Sequence, residues 1–201
     1  GIDFTEVADG MGLDSRISPL FLRAGAGFGG SCFPKDVKAL AAASKSSKID
    51  SKMLDASLEV NESQPLIVVE MARERLGVLK GKKITVLGLA FKPDTDDIRE
   101  SRSEVVIKKL VKEGAVVTGH DPEAMANFKE IIDIEMANNS KEALNEADCL
   151  ILMTEWKEYI DLDYKLIKQR MSGNVVIDGR RAFNYRRMEE EGFDYKAIGL
   201  G

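Results

Sequence analysis

Four short runs of almost unbroken apolar residues constrain this chain most: KKITVLGL (82–89), AVVTGHD (115–121), CLILMT (149–154) and NVVIDG (174–179). A strand that faced water on one side would alternate polar with apolar residues, and these do not, so they read as strands buried on both faces. Helical stretches lie between them: the amphipathic SRSEVVIKKLVKEG (101–114), ending at glycine, a short helix over 140–147, and DYKLIKQRM over 163–171. YKAIGLG (195–201) reads as a last strand. Strands separated by helices, with both faces to cover, predict an α/β fold with a parallel sheet.

The first 80 residues have a different texture and read as mostly helical. Ile2, Val7 and Met11 mark the end of a helix closed by Gly12. A glycine-rich loop, GAGFGGSCF, runs from Gly25 to Phe33, and Pro34 stands where a first helical position is expected, ahead of KDVKALAAASK. A longer helix is predicted from Lys52 to Leu79, with Pro65 kinking or splitting it and Gly77 and Gly81 punctuating its end. The boundary falls in LKGKK, which divides the chain into 1–80 and 81–201.

Composition narrows the function classes. With 44% hydrophobic and 31% charged residues the chain is too apolar for disorder, and a net charge of -5 argues against a nucleic-acid partner. No apolar run approaches the ~20 residues of a membrane span, so no membrane partner is expected. GIDFTEVADGMG carries no signal-peptide pattern. Two cysteines, Cys32 and Cys149, are too few for a disulfide framework, so reduced thiols and a cytoplasmic location are expected.

The segment GAGFGGSCFPKD (25–36) carries the chemistry. Gly25, Gly27 and Gly30 formally satisfy G-x-G-x-x-G, but SPLFLRA before them contains proline and no clear strand, and no acidic residue follows at the required spacing. The loop reads instead as one that brings backbone close to a bulky ligand. Cys32 ends it, just before a helix. A thiol there faces the positive end of a helix dipole, with Lys35 nearby, and both favour the thiolate. Asp36 lies in the same first turn and is placed to cap the helix or act as a base. Cys149, inside an apolar run, reads as a buried hydrophobe. His120, the only histidine, sits where a strand ends and reads as structural. Trp156 either packs over the site or caps the core. No metal site is expected.

Six segments, in order, carry a resemblance over essentially the whole chain: GMGLDSRI (10–17), FLRAGAGFGGSCFPKD (21–36), GLAFKPDTDDIRES (88–101), HDP (120–122), TEW (154–156) and DGRR (178–181). Together they resemble the UDP-glucose/GDP-mannose 6-dehydrogenase family. The resemblance implies a helical central and dimerisation region over 1–80, then a Rossmann-like domain over 81–201 that binds the UDP-sugar. It also implies that an N-terminal NAD-binding domain precedes the part seen here, that the long helix builds a homodimer, and that this portion alone is inactive. The implied reaction takes UDP-glucose to UDP-glucuronate with two NAD molecules, through a thiohemiacetal and a thioester on a cysteine. Cys32 matches the nucleophile and Asp36 the aspartate that positions water. Arg23, Gly25, Gly27, Phe28 and Gly29 match the segment around the nucleotide sugar, and Phe91, Lys92 and Arg180 match further substrate contacts. Arg16 matches an arginine that reaches the neighbouring subunit's site, and Lys35 and Arg99 match positions that approach NAD. Where the family commonly has proline or a small residue, this chain has Arg102, which is expected to alter only the local helix start. GDP-mannose or another nucleotide sugar is the alternative substrate. A sugar-nucleotide-binding or dimerisation module without redox activity is the alternative class.

Overall fold

A computed structural model describes residues 2–200. Three helices come first: α1 (Phe4–Gly12), α2 (Phe33–Ser46) and α3 (Lys52–Leu76). The remainder alternates strand and helix: β1 (Lys83–Leu87), α4 (Arg102–Lys112), β2 (Val116–His120), α5 (Met125–Lys129), β3 (Glu135–Met136) and α6 (Ser140–Ala143). Then come β4 (Cys149–Leu152), α7 (Lys157–Ile160), α8 (Tyr164–Arg170), β5 (Val175–Asp178), α9 (Tyr185–Glu190) and β6 (Asp194–Ala197). All six strands are parallel, in the order β3-β2-β1-β4-β5-β6. This is the doubly wound arrangement, in which loops leaving the carboxyl ends of the strands gather at the point where the strand order reverses.

The apolar runs are continuous because each strand is covered twice. Within β4, Cys149 and Ile151 face one apolar cluster, while Leu150 and Leu152 face the other. The first cluster holds Val106, Ile107 and Leu110 of α4 together with Val68, Val69 and Ala72 of α3. The second holds Tyr159, Ile167 and Met188 from α7, α8 and α9. The carboxyl half of α3 therefore forms part of the sheet's cover.

Of the two outcomes expected at Pro65, a split does not occur: one helix runs through from Lys52 to Leu76, with Pro65 buried inside. The ring removes one backbone donor, but burial of Val68, Val69 and Ala72 just beyond it holds the following turns in place. The helix also stops at Leu76 rather than Leu79, because Gly77 leaves helical space with φ of 70°. Pro34 proves to be the second helical residue rather than the first. The sequence reading missed α5, β3, α7 and α9, each of six residues or fewer.

Register places Leu87, His120, Leu152, Asp178 and Ala197 in one row across the carboxyl edge. Two fully buried aspartates organise the loops beyond that row. Asp121 accepts from the N–H groups of Leu89 (2.7 Å), Ala90 (3.0 Å), Glu123 (3.0 Å) and Ala124 (2.9 Å), and from the indole of Trp156 (3.1 Å). Trp156 is thereby a core residue tied to Asp121. Asp178 accepts from the N–H groups of Arg180, Ala182 and Phe183 and from the Tyr195 hydroxyl, each at 2.8 Å.

His120 is buried, as its structural reading requires. Its Nδ1 lies 2.8 Å from the Tyr159 hydroxyl, whose proton goes to the His120 carbonyl oxygen at 2.9 Å. The ring nitrogen facing Tyr159 therefore carries its own proton and donates.

Two predictions concern stability. Asp121→Ala leaves four backbone N–H groups and an indole without their acceptor, and should cost about 3 kcal/mol in urea unfolding. A loss below about 1 kcal/mol would show that water can replace the carboxylate there. Burial, only partly opposed by Glu158 and Asp121, lowers His120 below its ordinary 6.5. The unfolded chain then binds more protons near that pH, so this stability is present above pH 6.5 and is lost as pH falls below it. The urea midpoint should fall between pH 7.5 and 5.5, and His120→Gln should flatten the dependence.

Candidate active site

The glycine-rich segment crosses the carboxyl edge of the sheet and delivers Cys32 to the start of α2, where Cys32 is the N-cap residue. Its Sγ lies 3.7 Å from Ser31 Oγ, and the residue is exposed. The Asp36 N–H donates to the Cys32 carbonyl oxygen at 2.9 Å, so Asp36 sits one helical turn further along the same face. The Asp36 carboxylate is open to water and lies 3.5 Å from Lys35 Nζ. The Asp97 carboxylate, 2.7 Å from Arg99 Nη2, raises Arg99 above its ordinary value.

The loop's shape is fixed by groups distant in sequence. Asn61 of α3, only 4% exposed, grips both main-chain polar atoms of one residue: Phe28 N–H donates to its Oδ1 at 2.6 Å, and its Nδ2 donates to the Phe28 carbonyl at 3.2 Å. Gly30 N–H donates to the Arg99 carbonyl at 2.9 Å. Gly27 has φ of 107°, and a Cβ there would stand 2.7 Å from Asn61 Oδ1, so only glycine fits under the clamp. Gly29 lies so close to the Glu100 carbonyl oxygen that a Cβ would collide with it.

Phe91 packs from the other side against Gly29 and Gly30. Lys92 holds its ammonium 5.6 Å from the centroid of that ring. Arg180 leaves the end of β5 and meets Glu155 in a two-point ion pair, Nε to Oε2 at 2.7 Å and Nη2 to Oε1 at 2.9 Å. Its remaining nitrogen, Nη1, faces Gly25, 2.5 Å from where a Cβ would sit. Burial works to raise Glu155, but the guanidinium outweighs it and holds the carboxyl below the ordinary range. Arg23, Glu155, Arg180 and Arg181 border a cavity of about 340 Å³ together with α1 residues Phe4 and Ala8. A larger open groove of about 750 Å³ runs between α3 and α4, and Cys32 lines neither it nor the smaller cavity.

Cys32, Asp36, Lys35, Phe28, the loop glycines, Phe91, Lys92, Arg99 and Arg180 thus fall on connected segments at one edge of the sheet. Arg16 does not join them; it is exposed and pairs with Asp14 at 2.6 Å in the turn after α1. Asn61 and Glu155 are the residues that sequence reasoning missed. A lone amide in the helix and an acidic residue before a tryptophan were the signals available.

The described residues do not fit a dinucleotide. In the turn after β1, the Leu89 and Ala90 N–H groups that would face a diphosphate already donate to Asp121. The loop from Gly25 to Gly30 follows no strand. Among the described residues no group of three His, Cys, Asp or Glu side chains is placed to hold a metal ion.

Comparison with known proteins agrees with this geometry. Residues 85–185 match the UDP binding domain of the UDP-glucose/GDP-mannose dehydrogenase family, and residues 1–63 match its central domain. The chain is 44% identical over 199 residues to the UDP-glucose 6-dehydrogenase AglM of Haloferax volcanii, covering 98% of this chain and 45% of that protein. It is 39% identical over 201 residues to the UDP-glucose 6-dehydrogenase TuaD of Bacillus subtilis, covering 99% and 44%. A solved UDP-glucose dehydrogenase from Pyrobaculum islandicum superposes with a TM-score of 0.88 at 37% identity, over 100% of this chain and 44% of that one. The chain therefore spans less than half the length of the relatives it matches. Matched over both its thiol-bearing segment and its parallel sheet, the chain belongs to the UDP-glucose/GDP-mannose dehydrogenase family.

Proposed function

We propose that this chain supplies the catalytic thiol and the nucleotide-sugar side of an NAD-dependent UDP-glucose 6-dehydrogenase. The observation that carries this reading is the exposed Cys32 at the start of α2, at the end of a loop held flush against the carboxyl edge of the sheet. The Cys32 thiolate adds to the carbonyl carbon of a sugar aldehyde. A carbon–sulfur bond forms, the π pair moves to oxygen, and that oxygen takes a proton, giving a thiohemiacetal. Its oxidation to a thioester needs a hydride acceptor. NAD is that acceptor in this proposal and is held elsewhere in the full-length enzyme, with Lys35 and Arg99 at its margin. Asp36 then orients a water molecule onto the thioester; the carbon–sulfur bond breaks, and Cys32 returns as thiolate while the acid departs.

On the substrate side, the backbone from Gly25 to Gly29 follows the diphosphate, with Arg23, Lys92 and the free nitrogen of Arg180 as cationic partners. Phe28 and Phe91 wall the sugar. Arg16, exposed and away from its own site, serves a neighbouring subunit. α3 leaves Met53 85% exposed and Val60 53% exposed, which supports a homodimer through that helix. Free Cys32 and Cys149 support a cytoplasmic setting. A second substrate reading rests on a solved NDP-N-acetyl-D-galactosaminuronic acid dehydrogenase of Methanosarcina mazei, 30% identical over 99% of this chain, with a TM-score of 0.86.

Calorimetric titration with UDP-glucose, UDP-N-acetylgalactosamine and GDP-mannose separates these readings. UDP-glucose should bind tightest; tighter GDP-mannose or N-acetyl sugar would move the assignment to that substrate. Iodoacetamide at neutral pH should alkylate Cys32 at least about 100-fold faster than Cys149, which is fully buried and whose thiol burial pushes far up. Equal rates would remove the case for a nucleophilic Cys32. Sedimentation at micromolar concentration should show a dimer, and a clean monomer would count against the α3 interface.

A further inference from the structure

Arg102 is a buried cation to which the proposed chemistry gives no role. It is the first residue of α4, and its side chain is only 6% exposed. A cation in that position opposes the helix dipole, so stabilising α4 does not explain it. Its stem instead packs under the thiol loop: a Cβ on Gly27 would stand 3.1 Å from Arg102 Cδ. Its Nε donates to the Glu100 carbonyl at 3.1 Å, and Nη2 to Glu100 Oε2 at 2.9 Å. Nη1 is buried with no hydrogen-bond partner and lies 3.6 Å from Glu62 Oε1.

Those partners lead to the elements that hold the thiol. Glu62 is next to Asn61, which clamps Phe28. The Glu100 carboxylate also pairs with Lys38 at 2.7 Å, and Lys38 lies on α2, the helix that Cys32 caps. The Glu100 carbonyl that receives Arg102 Nε is the one against which Gly29 is packed, and the preceding carbonyl, of Arg99, receives Gly30 N–H. A guanidinium this deeply buried is tolerated only while its partners stay in place, so it fixes Glu100 as firmly as Glu100 fixes it.

We infer that Arg102 is a positioning residue: through Glu100, Glu62 and the Lys38 pair it sets the thiol loop and the start of α2 against the carboxyl edge of the sheet. Its consequence for ligand binding rests on the function proposed above.

Amide hydrogen exchange on the purified chain, combined with calorimetric titration of UDP, tests this. Arg102→Met should make the Phe28 and Gly30 amides exchange about tenfold faster while the Ile151 amide in β4 is unchanged, and should weaken UDP about tenfold. Arg102→Lys keeps the charge without the two-point fork and should recover part of both. Glu100→Gln removes, from a partly exposed position, the carboxylate charge that Arg102 and Lys38 share while leaving the carbonyl contact with Nε, and should reproduce part of the Arg102→Met pattern, so it carries the test if Arg102→Met does not fold. Unchanged Phe28 and Gly30 exchange in both Arg102→Met and Glu100→Gln would overturn the inference. So would equal acceleration at Ile151, which marks general destabilisation, or unaltered UDP affinity in a loosened variant. A parent chain that binds no UDP would count against the proposed function alone, since exchange still decides whether Arg102 positions the loop.

Discussion

The loops at the carboxyl edge depend on two fully buried carboxylates. Asp121 and Asp178 are each surrounded by N–H and O–H donors from the chain that immediately follows or faces them. Burial raises Asp178, and the surrounding donors oppose that rise without removing it. Such a group is tolerable only where every lone pair has a partner, which makes the turn geometry around it nearly obligatory. Asp121 thereby fixes the turn that leads to Phe91 and Lys92, and Asp178 fixes the one that presents Arg180. The same arrangement closes the β1 turn to an outside diphosphate. A doubly wound sheet that would otherwise read as a dinucleotide fold is specialised by one carboxylate.

The parts of this architecture that were legible in the sequence are those whose cause is local. Strands buried on both faces must be apolar throughout, so β1, β2, β4 and β5 stand out directly. Cys32 could be singled out because the glycines, the helix start and Lys35 are all within a few residues of it. The short elements α5, β3, α7 and α9 leave too few residues for any periodicity to register. At Pro65 local propensity left a kink or a break open, and with tertiary burial just beyond it the helix stays continuous. The residues that complete the site were hidden for another reason: Asn61 reaches Phe28 across 33 positions, and Glu155 reaches Arg180 across 25. Neither partner can be identified before the fold brings the two together.

α3 joins features that the sequence boundary near residue 80 had kept apart. Its carboxyl half supplies Val68, Val69 and Ala72 to the core under the sheet. About two turns earlier, Asn61 holds the thiol loop and Glu62 approaches Arg102. Earlier still, Met53 and Val60 face outward. A rigid helix with these three attachments cannot shift at its exposed face without carrying the clamp on Phe28 with it, because close-packed interiors transmit displacement rather than absorb it. An interface on α3 would thus act on the same element that shapes the loop.

The charges around that loop are arranged as fixed pairs. Arg180 is held by Glu155, Arg99 by Asp97, and Arg102 by Glu100, while Lys92 rests over the Phe91 ring. A cationic pocket without these partners would attract any polyanion and would lose most of that attraction to salt. Pairing removes much of the net charge and leaves directed donors, such as Arg180 Nη1 facing Gly25 and the backbone of the glycine loop. Recognition built this way depends on where the donors point, so it suits a ligand of fixed shape such as a nucleotide diphosphate. It also explains why the loop must be held so firmly: donors that select by direction select nothing once their frame moves.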